Sequence, residues 1–351
     1  MPGEINSILQ ADLEKFSKSF PFFKEIAGKR FLITGATGLI GSMMVRVLLY
    51  LREQEGQDIY ITALARNPRK AEEMFAGKDI DWVFCDISDP VSEKVSAPDY
   101  IIHCAANTSS KMMAEQPVET FLGLIDGTRE LLKFAAASAC KSMVYLSSIE
   151  SYGTFSEERE LEESDLGAID PLNNRSCYPL GKKGAEFLCH SYHSEYKVPV
   201  KIARLTQTFG AGVSPDDNRV FAQFARSLVN GEDIVLHTTG ESSKPYCYIT
   251  DAISAIFYIL LKGKNGEAYN VANADTYISV RNMAEMLEAR FGKGGEVKLK
   301  LREDMGYAAP TKNKLKVDKL MELGWKPEYR LEEMFSRLIE YLKEVNERTD
   351  S

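Results

Sequence analysis

The apolar run RFLIT at 30–34 passes directly into Gly35-Ala36-Thr37-Gly38-Leu39-Ile40-Gly41 and then into an apolar stretch with helical spacing. A strand that must turn into a helix within so few residues needs glycine where the backbone bends and where helix meets strand. On that reading Gly35 permits the tight turn, Gly38 lets a ligand's pyrophosphate approach the backbone, and Gly41 lets the helix pack closely on the strand. The helix N-terminus supplies the field for the anion. The loop, with Thr37, Leu39 and Ile40 between its glycines, is read as a dinucleotide cradle. The plainer alternative is a glycine-rich turn without a ligand.

From residue 30 onward strands and helices alternate. RFLIT, DIYITALA, DWVFC, DYIIHCAA, SMVYLSS and VKIARLT read as strands, and helical patterns near 39–54, 68–76, 117–138 and 178–196 lie among them. This grammar predicts an α/β fold, a Rossmann-type doubly wound parallel sheet with helices on both faces. Ahead of it, residues 1–28 read as a helical extension whose amphipathic pattern breaks near Pro21. Residues 29–210 form the expected dinucleotide domain. Residues 211–351 are expected to be mainly a smaller substrate lobe, with the chain crossing back to the main domain. There the pattern shows helices at 219–230, after Ser279 and from 331, and short strands DIVLH, PYCYI and EAYNV.

Forty-three Lys and Arg stand against 51 Asp and Glu, a net charge of −8. That balance offers no basic field for a nucleic-acid backbone. No apolar run of membrane-spanning length and no basic-then-apolar start is present, which places the expected protein in the cytoplasm, away from membranes. The six cysteines form no C-x-x-C pair, and no metal site is expected.

The end of the second strand reads Ala63-Leu64-Ala65-Arg66-Asn67, without the acid that usually receives the ribose hydroxyls of NAD. Arg66 accepts a 2′-phosphate, which tilts the choice towards NADP, or stacks on adenine, or lies in solvent. Asp86, followed by Ile87, closes the third strand where it can receive the adenine amino group; its bland reading is a helix N-cap. Ala105 and Ala106 end the fourth strand in small residues beside which a nicotinamide ribose has room.

Tyr178-Pro179-Leu180-Gly181-Lys182 opens a helix, and the four-residue spacing puts phenol and ammonium on one face. A free tyrosine, with a pKa of ~10, is a poor base near neutrality; a nearby cation favours its phenolate. About 30 residues upstream, Leu146-Ser147-Ser148-Ile149-Glu150 ends the fifth strand and brings a serine hydroxyl to the same sheet edge.

TGATGLIG, HCAA, LSSIESYG, YPLGK, YCYITDA and the tail LKVDKLMELGWKPEYRLEEM together resemble the extended short-chain dehydrogenase/reductases, in the nucleotide-sugar epimerase/dehydratase branch, over roughly residues 29 to 345. The resemblance implies a catalytic triad of Ser148, Tyr178 and Lys182, tightly bound NAD or NADP, and oxidation of a nucleotide-linked sugar at C4 followed by epimerisation, dehydration or decarboxylation. Glu150 resembles the acid/base glutamate of GDP-mannose dehydratases and UDP-glucuronate decarboxylases, and Arg175 resembles the arginine of the decarboxylases' Arg-x-Cys-Tyr. Their bland readings are a solvated loop acid and a surface ion pair. Gln207 stands where relatives commonly have asparagine, Lys244 where many have arginine, and Leu124 where an asparagine is usual. Arg219 resembles a residue of the decarboxylase pattern that meets nucleotide or phosphate. A homodimer built on helices 117–138 and 178–196 is implied as well. Two other readings stay open: an NADPH-dependent reductase of a keto-sugar nucleotide or another carbonyl, supported by Arg66, and a non-catalytic cofactor-sensing relative, which intact Ser148, Tyr178 and Lys182 argue against.

Overall fold

The computed structural model describes residues 5–56, 58–91, 94–302 and 311–349. An N-terminal pair, α1 (Ser7–Ser19) and α2 (Phe23–Ile26), precedes an alternating stretch. That stretch runs β1 (Arg30–Thr34), α3 (Leu39–Glu55), β2 (Tyr60–Ala65), α4 (Pro68–Phe75), β3 (Asp81–Phe84) and β4 (Tyr100–His103). It continues through α5 (Ser110–Glu115), α6 (Pro117–Ser138), β5 (Ser142–Ser148), β6 (Arg159–Leu161), α7 (Cys177–Tyr196) and β7 (Val200–Leu205). The remainder comprises β8 (Gln207–Phe209), α8 (Val220–Asn230), β9 (Ile234–Leu236), β10 (Ser243–Tyr248), α9 (Ile249–Lys262), β11 (Ala268–Val271) and β12 (Asn273–Ser279). It ends in α10 (Val280–Phe291), β13 (Val297–Leu299), β14 (Asn313–Leu315), α11 (Asp318–Met321) and α12 (Leu331–Thr349).

Seven strands form one parallel sheet in the order β11-β7-β5-β4-β1-β2-β3. Its central strands are apolar on both faces, as a parallel sheet covered by helices on each side requires. Alternation decides which helices each residue meets. Phe31 and Ile33 turn to the face covered by α3, α9, α1 and α12, whereas Leu32, Met143 and Tyr145 turn to α6 and α7. The chain reverses its direction of winding between β1 and β4, and the cleft opens there, at the carboxyl ends of the strands.

Helix α9 does not appear in the sequence pattern. Its residues ITDAISAIFYILLK are apolar on nearly every side because the helix is buried nearly all round, and no polar face marks its period. EAYNV, read as a strand beyond the main domain, supplies β11 at the edge of the main sheet. Smaller sheets, β12-β10-β8, β13-β9 and β14-β6, lie beyond it. A single residue, Thr206, separates β7 in the large sheet from β8 in a small one. It donates its hydroxyl to Pro245 O at 2.5 Å and its amide to Val271 O at 3.1 Å, joining both sheets.

Helix α1 buries Leu9, Leu13 and Phe16 against this core, and the Phe20 ring that follows lies 4.9 Å from Phe257. Asp12, on the same buried face, accepts from Tyr248 Oη at 2.6 Å and from Arg337 Nε at 2.8 Å, tying the first helix to the last. Among the described residues no helix is long and apolar enough to cross a membrane.

Candidate active site

The glycine loop closes as its spacing requires. Gly35 has φ +65°, and a Cβ there would stand 2.8 Å from Ala105 Cα; at Gly41 it would meet the Gly35 carbonyl at 2.2 Å. Gly38 caps α3 without a side-chain hydrogen bond, so the helix's first amides keep no side-chain acceptor. Below the loop, Thr128 donates to Leu124 O at 2.7 Å and so must accept from His103 Nε2–H at 3.2 Å. His103 Nδ1 then accepts from Thr34 Oγ1 at 2.8 Å, and Thr34 Oγ1 accepts from the Ala105 amide at 3.2 Å. Burial holds the imidazole neutral, its pKa lowered to about 3. This chain fixes the ends of β1 and β4 against each other.

A cleft of about 620 Å³ runs from the loop to the chemical residues. Of the expected site residues, Gly35, Thr37, Gly38, Leu39, Ile40, Gly41, Ala106, Ser148, Glu150, Arg175, Tyr178, Lys182, Gln207, Arg219 and Lys244 line it. Arg66, Asp86, Ile87 and Ala105 do not. Arg66 is exposed. Asp86 is no helix cap: its Oδ1 accepts from the Ser88 amide at 3.0 Å and hydroxyl at 2.7 Å, closing a turn. The Ser88 hydroxyl and amide, with Arg66 contributing charge, lower the Asp86 pKa. Ile87 packs under α6 at Gly127. Lys70, Thr206, Asp217 and Tyr341 line the cleft without having been singled out; only Lys70, four residues after Arg66, carried a signal in its position.

Tyr178 and Lys182 are buried on α7. Burial raises the Tyr178 pKa well above its ordinary value and the Glu150 charge adds to this, while the Ser148 hydroxyl and the cations Arg175 and Arg219 oppose it. Lys182 Nζ donates to Leu146 O at 2.7 Å and lies 5.7 Å from the Tyr178 ring centroid. Its burial lowers the pKa to about 8, against the charge of Glu186, which raises it. A cation added at the nicotinamide position would favour the phenolate that burial resists.

Glu150 is exposed and pairs with Arg175, which is the surface ion pair of the bland reading. Arg175 Nη2 lies 3.1 Å from Glu150 Oε2 and 3.4 Å from Oε1, and Arg175 Nη1 is buried with no hydrogen-bond partner among the described residues. Lys244 is close enough to feel both: its burial lowers the pKa, Glu150 raises it and Arg175 lowers it further. Arg219 turns to Asp217, with Nε 3.0 Å from each carboxylate oxygen. The resulting site has an anion cradle at one end, a Ser-Tyr-Lys group at its centre and an acid flanked by two cations beyond.

The sequence model of the NAD dependent epimerase/dehydratase family matches residues 31–272. The chain belongs to that family. The family's match starts after α1 and α2. UDP-glucuronic acid decarboxylase 1 of Xenopus tropicalis is 27% identical over 332 residues, covering 93% of this chain and 76% of the relative. Among solved structures, UDP-glucose 4-epimerase of Thermotoga maritima superposes with a TM-score of 0.78 at 22% identity, covering 90% of this chain and 99% of the other. A dTDP-glucose 4,6-dehydratase of Streptomyces venezuelae with NAD bound gives 0.77 at 22% identity, covering 91% and 98%. These likenesses establish the Rossmann-type fold, and the family makes the chain an NAD(P)-dependent enzyme. The cradle fits such a cofactor: Gly35, Thr37, Gly38 and Gly41 line the cleft, and Gly38 begins α3 there without a side-chain hydrogen bond at the cap.

Proposed function

We propose that this chain oxidises a nucleotide-linked uronic acid at C4 and removes its carboxylate as carbon dioxide, UDP-glucuronic acid being the first substrate to test. The observation that carries this reading is the Arg175–Glu150 pair, with a guanidinium nitrogen that has no partner among the described residues on one side and Lys244 near it. Inverting C4 alone needs a base and a hydride acceptor; two cations around an acid suit a substrate that brings its own carboxylate. The decarboxylase names of the curated relatives support the same choice.

In this scheme Tyr178 takes the proton of the C4 hydroxyl, with Ser148 holding that oxygen and Lys182 supplying positive charge behind the phenol. The dinucleotide, when bound, supplies the hydride acceptor and later returns the hydride. A carbonyl at C4 stands β to the C6 carboxylate, so the C5–C6 bond can break with its electron pair passing into the carbonyl as carbon dioxide departs. Tyr178 and Ser148 hold the oxygen on which charge develops, Glu150, open to solvent, relays a proton from water to C5, and Arg175 and Lys244 orient the carboxylate. Gln207 and Arg219 are assigned to the diphosphate and nucleotide.

Arg66 is assigned to a 2′-phosphate, which makes NADP the favoured dinucleotide. The exposed apolar residues Val118, Phe121 and Leu122 on α6 and Phe187 on α7, the last 68% exposed, are assigned to a homodimer interface. Incubation with UDP-glucuronic acid, followed by proton NMR and mass spectrometry, tests the reaction. A product lighter by carbon dioxide is expected. An epimer of unchanged mass would make the enzyme an epimerase, and stoichiometric consumption of added NADPH would make it a reductase.

A further inference from the structure

Tyr178, Lys182 and Glu186 follow one another at four-residue steps on α7, a stripe along one face. Three consecutive residues of β5 meet it. Leu146 O accepts from Lys182 Nζ at 2.7 Å, Ser147 Oγ donates to Glu186 Oε1 at 2.5 Å, and the Ser148 hydroxyl acts on the Tyr178 phenol. Glu186, only 6% exposed, is gripped from β7. Arg204 Nε stands 3.0 Å from Glu186 Oε1 and 3.2 Å from Oε2, and Arg204 Nη2 stands 2.7 Å from Oε2. The guanidinium is fixed in turn by Glu163 O at 2.8 Å and by the Tyr152 ring, 4.7 Å away.

Among the described residues no carboxylate is in direct contact with Lys182; its hydrogen bond goes to the neutral Leu146 carbonyl. The titratable groups facing it are Tyr178, Glu186 and Cys189 from its own helix, His103 and Cys104 from β4 and the residue after it, and Tyr145 from β5, with Arg204 of β7 behind Glu186. Burial keeps the two thiols and both phenols protonated and His103 neutral. The charge acting on Lys182 is therefore that of Glu186, which Arg204 holds in place.

We propose that Glu186, held by Arg204, is a positioning residue of the catalytic centre, keeping Lys182 protonated and anchoring the end of β5 so that Ser148 meets the reacting oxygen. It depends on Tyr178 serving as base with Lys182 as its cation, as assigned above. Removing one member of the pair leaves the other as an uncompensated buried charge. Glu186→Gln removes the negative charge that favours the lysine proton, whereas Arg204→Met takes the counter-charge from Glu186 and lets it act on Lys182 more strongly. The two variants thus shift the same equilibrium in opposite directions, which a merely structural role does not.

The test is a ¹³Cε-lysine NMR titration of the full-length, cofactor-free protein, with the Lys182 resonance assigned through Lys182→Arg. The unaltered protein is expected to titrate at about 8. Glu186→Gln should lower that midpoint by about one pH unit or more, and Arg204→Met should raise it. The alkaline limb of kcat/KM should move with each. Midpoints that stay in place, or that move in the same direction, overturn the role of Glu186. Should either single change unfold the chain, the double variant removes both charges together. Its midpoint should return to within about half a pH unit of the unaltered protein, and a larger displacement overturns the inference. The two assignments fail separately. An active Tyr178→Phe variant refutes the base whatever Lys182 does, while an inactive one with unmoved midpoints refutes only the part played by Glu186.

Discussion

Arg175 holds Glu150 with one end of its guanidinium, Nη2 to Oε2 at 3.1 Å, and keeps the other end, Nη1, buried and without a partner among the described residues. An incoming carboxylate would satisfy the free nitrogen without breaking the existing pair. Glu150→Gln is therefore expected to leave C4 oxidation intact and to slow carbon dioxide release by about 100-fold or more, the range for losing a proton-transfer group. Absorbance of reduced dinucleotide, read beside release of labelled carbon dioxide, separates the two steps. Equal loss of both would return Glu150 to a structural role.

Tyr178→Phe removes one hydroxyl from a buried ring and little else. Turnover should fall by at least about 100-fold while the dinucleotide stays bound, measured by product NMR and by mass spectrometry of released nucleotide. Activity within tenfold of the unaltered enzyme, on the same scale, would exclude the phenol as base.

Arg66 is exposed at the end of β2, near Asp86. If it meets a 2′-phosphate, Arg66→Ala should weaken NADP binding by about 10- to 100-fold, as expected for losing a charge-assisted hydrogen bond, and leave NAD binding unchanged. Fluorescence titration with both reduced cofactors measures this. Parallel losses for the two cofactors would assign Arg66 to the adenine.

Asp251 is buried, and its carboxylate accepts the Glu328 and Tyr329 amides at 3.1 and 3.2 Å. Burial raises its pKa to about 7, against the lowering effect of those amides. A folded-state pKa above the unfolded one means that the folded protein binds the proton more tightly. This group's contribution is thus full below about pH 4 and is lost as pH rises to about 7. Asp251→Asn should flatten that part of the dependence of melting temperature on pH between 4 and 7, as followed by circular dichroism. An unchanged slope would show that Asp251 does not bind a proton in that window.

Asp12 lies fully buried against Arg337 and Tyr248. Asp12→Ala leaves the partly buried Arg337 guanidinium without its anion and should cost about 3 kcal/mol of stability, the low end for breaking a buried pair. Urea unfolding checks this. A loss below about 1 kcal/mol would mean that water replaces the carboxylate at no greater cost than at a surface pair.

The strand, loop and helix at 30–55 were legible because the glycines occupy positions that geometry forbids to other residues; a Cβ at Gly41 would stand 2.2 Å from a carbonyl oxygen. The Tyr178–Lys182 stripe was legible because helical spacing alone puts both residues on one face. Glu186 and Arg204 were not. They stand 18 residues apart, on a helix and a strand, and an ion pair between two elements leaves no periodic mark in either. Helix α9 escaped for the opposite reason, since burial on almost every side erased the alternation that reveals a helix. The pairing of Glu150 with Arg175 likewise depends on how a loop returns across 25 residues, which spacing cannot give.

Thr206 is the whole of the connection between β7 and β8, and its two hydrogen bonds fasten it to both sheets. A joint so short and so fully bonded leaves no slack between β7 of the large sheet and β8, which Gln207 begins. The joint is thereby a rivet, and the height at which Gln207 stands on the cleft wall follows from where β7 ends.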